Sequence, residues 1–295
     1  MVADDFQRRF QAGCSLFQAS RISKFRRGHI KLFHSKLLEL AAKKFVIGIK
    51  RSSSLFWGEK MAVVYPDPTS LCISRYGFYE EGLTAMVLAY LKPGMTFLDV
   101  GAHVGYFTLL AAWLVGDTGR VHSFEPTPST FDVLSLNTRS KANVFLNAEA
   151  VASESGVVDL NDYGPAFSGY NSMYHARMPE ATAVRVKSTR FQAPAISIDE
   201  YVSRENLTPN FVKIDAESAE FEILRGMDHT LQRFKPMISV EVGDMDIEGV
   251  IPCGELVMYL VNQGYRAYEF SGGAIVAHQP KDRYEYDNIL FLPES

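Results

Sequence analysis

Residues 97–112, FLDVGAHVGYFTLLAA, put an apolar strand, a turn with glycines four apart and an apolar helix into one short stretch. No other segment limits the fold as much. A strand that feeds a helix through a glycine turn belongs in a parallel sheet, with a ligand held above the strand's carboxyl end. The turn also excludes two common phosphate holders. A dinucleotide fold needs G-x-G-x-x-G and a P-loop needs G-x-x-x-x-G-K-[ST]. Gly101 and Gly105 instead give G-x-x-x-G, with no lysine after it.

What remains is a ligand without a phosphate. Glycines admit close backbone approach, and the helix N-terminus beyond offers unpaired N–H groups. Asp99 adds a carboxylate that repels phosphate and suits a cationic or hydroxyl-rich ligand. Glu125 ends the next strand, where an acid accepts both hydroxyls of a ribose. A ribose, a positive charge and no phosphate describe S-adenosylmethionine, the expected cofactor.

Strands and helices alternate on from this unit: RVHSFEP, helix 129–140, ANVFLNAEAVA, NFVKIDA, helix 219–224, PMISVEV, helix 253–262, YRAYEF and NILFLPE. The last two strands, with no helix between them, predict an antiparallel final strand. GVVDLNDY and TAVRVKSTRF read as an inserted antiparallel pair, and MAVVYPDPTSLCIS as two short strands around a Pro-Asp-Pro turn. Residues 1–45 carry apolar positions at helical spacing. The 295 residues therefore divide into a basic helical N-terminal extension, 1–60, and an α/β domain, 61–295, with an insert or lid at about 156–192.

FLDVGAHVGYFTLLAA and GRVHSFEP, followed by ISIDEYV and VKIDAESAEFEILRG, resemble the FkbM-type S-adenosylmethionine-dependent methyltransferases from about residue 77 to about residue 245. The resemblance implies a Rossmann-like class I fold, with a seven-stranded, mostly parallel sheet ordered 3-2-1-4-5-7-6. It also implies methyl transfer to oxygen on sugars, glycolipids, antibiotics or carboxylates. Carried over by position, Asp99, Gly101 and Gly105 meet the methionine end of the cofactor and Glu125 its ribose. Ala102, His103, Tyr106, Phe107, Pro126 and Asp215 complete the expected cofactor contacts. The chain departs from the family at His103, commonly Asn, and at Ser218, commonly Gly.

An alcohol acceptor must lose a proton, to a base or with a metal's help. Asp215, Glu217, His103 and Glu241 are the candidate catalytic groups, although Asp and Glu at such places also cap helices. Asp215, Glu241 and Asp244 are potential Mg²⁺ ligands, against the alternative of acceptor hydrogen bonding without metal. In the long polar loop 167–177, Tyr170, Asn171, Ser172, Tyr174 and His175 are candidate contacts to a sugar or other polyol acceptor.

Charge bounds the partners. Residues 1–60 hold 13 Lys and Arg against 4 Asp and Glu, while the rest of the chain holds 17 against 30. A nucleic-acid methyltransferase is one alternative, but the acidic body would repel a phosphate backbone. A non-catalytic cofactor-binding module is another, and acids retained at four site positions argue against it. Three scattered cysteines, Cys14, Cys72 and Cys253, suit a reducing cytoplasm, and no apolar run approaches the ~20 residues of a membrane span. The expectation is a cytoplasmic protein, a homodimer through its basic arm, acting on a small acceptor.

Overall fold

The computed structural model describes residues 2–164, 166–168, 171, 187–216, 218–244 and 250–294, with only the backbone of 2–4, 21–22 and 25–30. Two helices open the chain, α1 (Val2–Gln18) and α2 (Arg21–Phe45), the second capped by Ser20. A hairpin of β1 (Ile49–Ser54) and β2 (Lys60–Tyr65) follows. Residue 60 thus begins a paired strand, and the extension is not wholly helical.

The segment PTSLCISRY is a helix, α3 (Pro68–Tyr76), and not the second strand expected. Asp67 accepts the Ser70 N–H at 2.7 Å as N-cap, and Pro68 takes the first helical position. That start signal outweighs the short apolar pattern.

Helix α4 (Glu81–Tyr90) leads to β3 (Thr96–Val100), then α5 (Tyr106–Val115), β4 (Arg120–Phe124), α6 (Pro128–Thr138) and β5 (Val144–Asn147). The expected strand 142–152 is split. Its second half, β6 (Ala150–Val151), joins a small separate sheet with β7 (Gly156–Asp162) and β8 (Thr189–Ile196). β7 and β8 are the antiparallel insert, with β8 placed later in the chain than expected.

The remaining strands are β9 (Phe211–Ile214), β10 (Met237–Val242), β11 (Tyr265–Ser271), β12 (Ala274–Ala277) and β13 (Asp287–Pro293). Among the described residues the main sheet has eight strands, ordered β12-β11-β13-β10-β9-β3-β4-β5. Without β12 this is the 3-2-1-4-5-7-6 pattern. The extra edge strand forms because Gly272 and Gly273, both at positive φ, turn the chain back on β11. β13 is antiparallel to both its neighbours, as expected. The central strands read as continuous apolar runs because helices cover both faces. Phe97, Leu98, Val212 and Ile214 are fully buried.

The N-terminal helices pack on the body of their own chain. Phe6 meets Trp113 edge-on, with ring centroids 5.0 Å apart, and Phe10 meets Phe78 at 5.4 Å. α2 is held by Glu39, buried and bonded to Arg75 at 2.6 Å, Lys43 at 2.7 Å and Lys36 at 3.0 Å. Burial alone would raise this carboxyl, but its three cationic partners hold it down to about 2. A depressed acid stabilises the fold above its unfolded value of 4.5, and that contribution is lost as the pH falls towards 2. Glu39→Gln is therefore expected to flatten the acid limb of stability in urea melts across this window. An unchanged limb would remove Glu39 as the anchor. No helix among the described residues is long and apolar enough to cross a membrane.

Candidate functional site

The turn after β3 forms because three of its residues adopt left-handed backbone: Gly101 (φ 73), His103 (φ 52) and Gly105 (φ 93). A Cβ at Gly101 would collide with the Asp215 carbonyl oxygen, and one at Gly105 would stand 2.7 Å from Leu134 Cδ1 on α6. The first glycine thus lets the loops after β3 and β9 meet, and the second seats α5 against α6. The Gly101 and Ala102 amides donate to the Phe124 carbonyl at 3.1 and 2.9 Å, tying the turn to the end of β4.

A cavity of about 310 Å³ lies over these strand ends. Of the expected cofactor contacts, Gly101, Ala102, His103, Tyr106, Phe107, Glu125, Pro126 and Asp215 line it, whereas Gly105 does not. Glu125 is oriented by two amides: Oε2 accepts from His103 N at 3.0 Å and Oε1 from Thr127 N at 3.0 Å. Burial pushes its carboxyl up, and the amides work against that shift. Each oxygen keeps a lone pair, enough to receive two vicinal hydroxyls.

Asp99 does not line the cavity. It is fully buried beneath the turn, where Thr108 Oγ1 donates to Oδ2 at 2.6 Å and Lys213 Nζ stands 3.4 Å from Oδ1. Where a contact with the methionine end was expected, Asp99 instead holds Thr108 and pairs with Lys213.

Lys213 escaped the sequence reading, where it passed as one residue of an apolar strand. The signal was there, since a charge inside a buried strand is rare unless paired. Only 2% of the side chain is exposed, and Nζ lies 3.2 Å from Asp215 Oδ2 and 3.2 Å from the Gly101 carbonyl oxygen. Burial opposes its charge, but Asp215, Asp99 and Glu80 outweigh burial and hold its pKa above the usual lysine range. Phe107 lies under the ammonium, 5.5 Å from ring centroid to Nζ.

His103 forms part of the wall, with Nε2 at 2.6 Å from Ser168 Oγ and 3.9 Å from Asp67 Oδ1. Asp67 is fully buried, which pushes its carboxyl up. Asn171 also lines the cavity, accepting from Tyr163 N at 2.9 Å. The other expected acceptor contacts, Tyr170, Ser172, Tyr174 and His175, and the catalytic candidate Glu217, lie outside the described residues. Ser218 has φ 86 and His103 φ 52, so the two departures from the family pattern fall where Gly and Asn tolerate the backbone best. Glu220 steadies the loop before Ser218 by accepting from Ala216 N at 2.9 Å and from Ser218 N at 3.2 Å.

The proposed metal set is not assembled. Asp244 spends its oxygens on Cys253 N and Tyr284 N, both at 2.7 Å, which caps the helix Cys253–Asn262. Glu241 sits on β10 opposite Asn288, outside the cavity lining. No group of three or more His, Cys, Asp or Glu among the described residues is placed to hold a metal ion.

A further acid comes from the start of α4. Glu80 sits in left-handed backbone (φ 42, ψ 87), and its Oε1 accepts from the Tyr286 hydroxyl at 2.8 Å. Its Oε2 is closed to solvent, and Tyr79 is a second hydrogen-bonding neighbour of the carboxyl. Burial, and next the charge of Asp215, push this carboxyl up to about 7.

The Methyltransferase FkbM domain model matches residues 99–267. The hexuronic acid methyltransferase AglP of Haloferax volcanii is 29% identical over 155 residues, 52% of this chain and 58% of that protein. This chain thus spans little more than half of that relative's length. The 31-O-demethyl-FK506 methyltransferase FkbM of Streptomyces tacrolimicus is 27% identical over 198 residues, 59% of this chain and 74% of that protein. Among solved structures, a methyltransferase FkbM from Methylobacillus flagellatus KT superposes with a TM-score of 0.42 and 13% identity. That match covers 75% of this chain and 52% of the other. With more than half of its residues matched to the family model, glycine turn and Glu125 included, this chain belongs to the FkbM methyltransferase family.

Proposed function

We propose that the chain is an S-adenosylmethionine-dependent O-methyltransferase. Its acceptor is a hydroxyl or carboxylate of a small molecule that contains a sugar or is a natural product. The observation that carries this reading is Glu125, aimed by two amides into a cavity whose neighbouring turn has room only for glycine at residue 101. That cradle fits a nucleoside without a phosphate, as the family's cofactor requires. When bound, S-adenosylmethionine supplies a methyl group on an electron-poor sulfur. The protein's task is then to place the acceptor oxygen in line with it and remove water. Tyr79, Phe107, Phe124 and Tyr286 give the cavity apolar and aromatic walls for that purpose. The two relatives, a hexuronic acid methyltransferase and a 31-O-demethyl-FK506 methyltransferase, support a small oxygen acceptor.

Calorimetry with S-adenosylmethionine, followed by label transfer to a panel of glycosides and uronic acids, tests the proposal. Glu125→Ala is expected to weaken cofactor binding by about 2 kcal/mol, roughly 30-fold, through lost hydrogen bonds to a charged acceptor. Unaltered affinity would remove Glu125 from the ribose site. A wild-type chain that binds no cofactor would overturn the proposal itself.

We also propose a homodimer. Phe33, Leu37 and Leu40 repeat at helical spacing along α2 and are 65%, 49% and 53% exposed. Light scattering at twice the chain mass supports this assembly, and a monomer would overturn it.

A further inference from the structure

Two residues that no motif contains, Glu80 and Tyr286, meet at the cavity although 206 positions apart. Tyr286 lines the cavity, is 54% exposed, and donates its hydroxyl hydrogen to Glu80 Oε1. Glu80 is held in left-handed backbone that strains a residue other than glycine, and such strain clusters at functional sites. We propose that Tyr286 and Glu80 form the proton-accepting pair of the methyl transfer and that the acceptor is therefore a neutral hydroxyl, not a carboxylate. This rests on the methyltransferase reading above and makes its acceptor class specific.

The step balances. The acceptor hydroxyl passes its proton to the Tyr286 oxygen while Tyr286 passes its own to Glu80 Oε1. The acceptor oxygen forms its bond to the methyl carbon as the methyl–sulfur bond breaks, and that electron pair stays on sulfur. Glu80 returns the proton to water through Tyr286 once product leaves. A carboxylate acceptor has no proton to give and would leave the pair without a role.

The charges point the same way. Among the described residues lining the cavity, Lys213 is the one permanent cation, and it is already shared between Asp99 and Asp215. Tyr79, Cys72, Lys213, Asp215 and Tyr286 all act on Glu80 or feel its charge, and Glu241 bears on both tyrosines. Burial and the Asp215 charge favour the protonated acid, while the Tyr286 and Tyr79 hydroxyls and Lys213 favour the carboxylate. Among the described lining residues an incoming carboxylate meets acids and a lysine already shared between two of them, whereas an alcohol meets an acceptor.

The test uses the full chain with S-adenosylmethionine, an alkyl hexopyranoside and the matching alkyl hexuronide. Expected are methylation of the hexopyranoside with kcat rising through about pH 7, and at least ~10-fold slower methylation of the hexuronide. Glu80→Gln should abolish that limb and lower kcat by ~100-fold, the scale of general-base catalysis, with calorimetric cofactor affinity changed less than about twofold. Tyr286→Phe, at a position 54% exposed, should lose the limb as well. A limb that survives in either variant, or a hexuronide methylated as fast as the hexopyranoside, overturns the proposal. Cofactor binding without transfer to either sugar would overturn the methyltransferase reading and this inference with it.

Discussion

Gly101→Ala is expected to unfold the site. The new methyl would overlap the Asp215 carbonyl oxygen, and the backbone would be held at φ 73, where an L side chain is strained. Left-handed strain of ~1–3 kcal/mol and an overpacking cost of similar size act together. Neither relaxes cheaply, because Gly101 N is bonded to Phe124 and its carbonyl to Lys213. A stability loss of about 3–5 kcal/mol follows from those two contributions, read as a lower urea midpoint. The loops after β3 and β9 would be forced apart, and cofactor affinity should fall beyond calorimetric detection. A variant with the wild-type midpoint and normal affinity would mean that the two loops do not meet as described.

The second large effect is expected at Lys213. Lys213→Met keeps the length and packing of the side chain but removes the charge between Asp99, which is fully buried, and Asp215. Breaking a buried pair by deleting one partner costs about 3–5 kcal/mol, because the remaining charge has neither solvent nor counter-charge. The wild-type lysine is held charged, with its pKa above the usual range, so this contribution persists across the physiological pH range and disappears only in strong alkali. In Lys213→Met the deficit should grow as the pH rises through the carboxylate range. Adding Asp99→Asn should recover part of it, as a double-mutant cycle in urea would show. A single variant as stable as wild type, with no pH dependence of the difference, would contradict the buried ion pair.

Much of this architecture follows from local pattern. The apolar run of β3, the glycine spacing after it and Glu125 twenty positions on declare strand, turn and ligand end within a few residues of one another. Readings failed where a local signal was short or outweighed by a neighbouring pattern, and where the deciding contact lies far away in the chain. The segment after Pro66 looks strand-like until Asp67 and Pro68 are seen as a helix start. β12 is too short to declare itself without its pairing to β11. Lys213 sits in an apolar run, and only the fold brings Asp99 and Asp215 to it. Glu80 and Tyr286 belong to no spacing pattern, since a whole sheet has to be built before they touch. His103 and Ser218 were visible as departures, but the left-handed backbone that gives them meaning was not.

The position of β13 has a consequence for how the protein is made. This strand is synthesised after β10 and β11, but it lies between them. Until it emerges, two neighbouring strands expose unpaired edges, the kind of template on which nascent chains stick to one another. Tyr286 immediately precedes β13, so the same insertion brings it to Glu80. The contact between Tyr286 and Glu80 therefore waits for the same late strand that seals the two exposed edges.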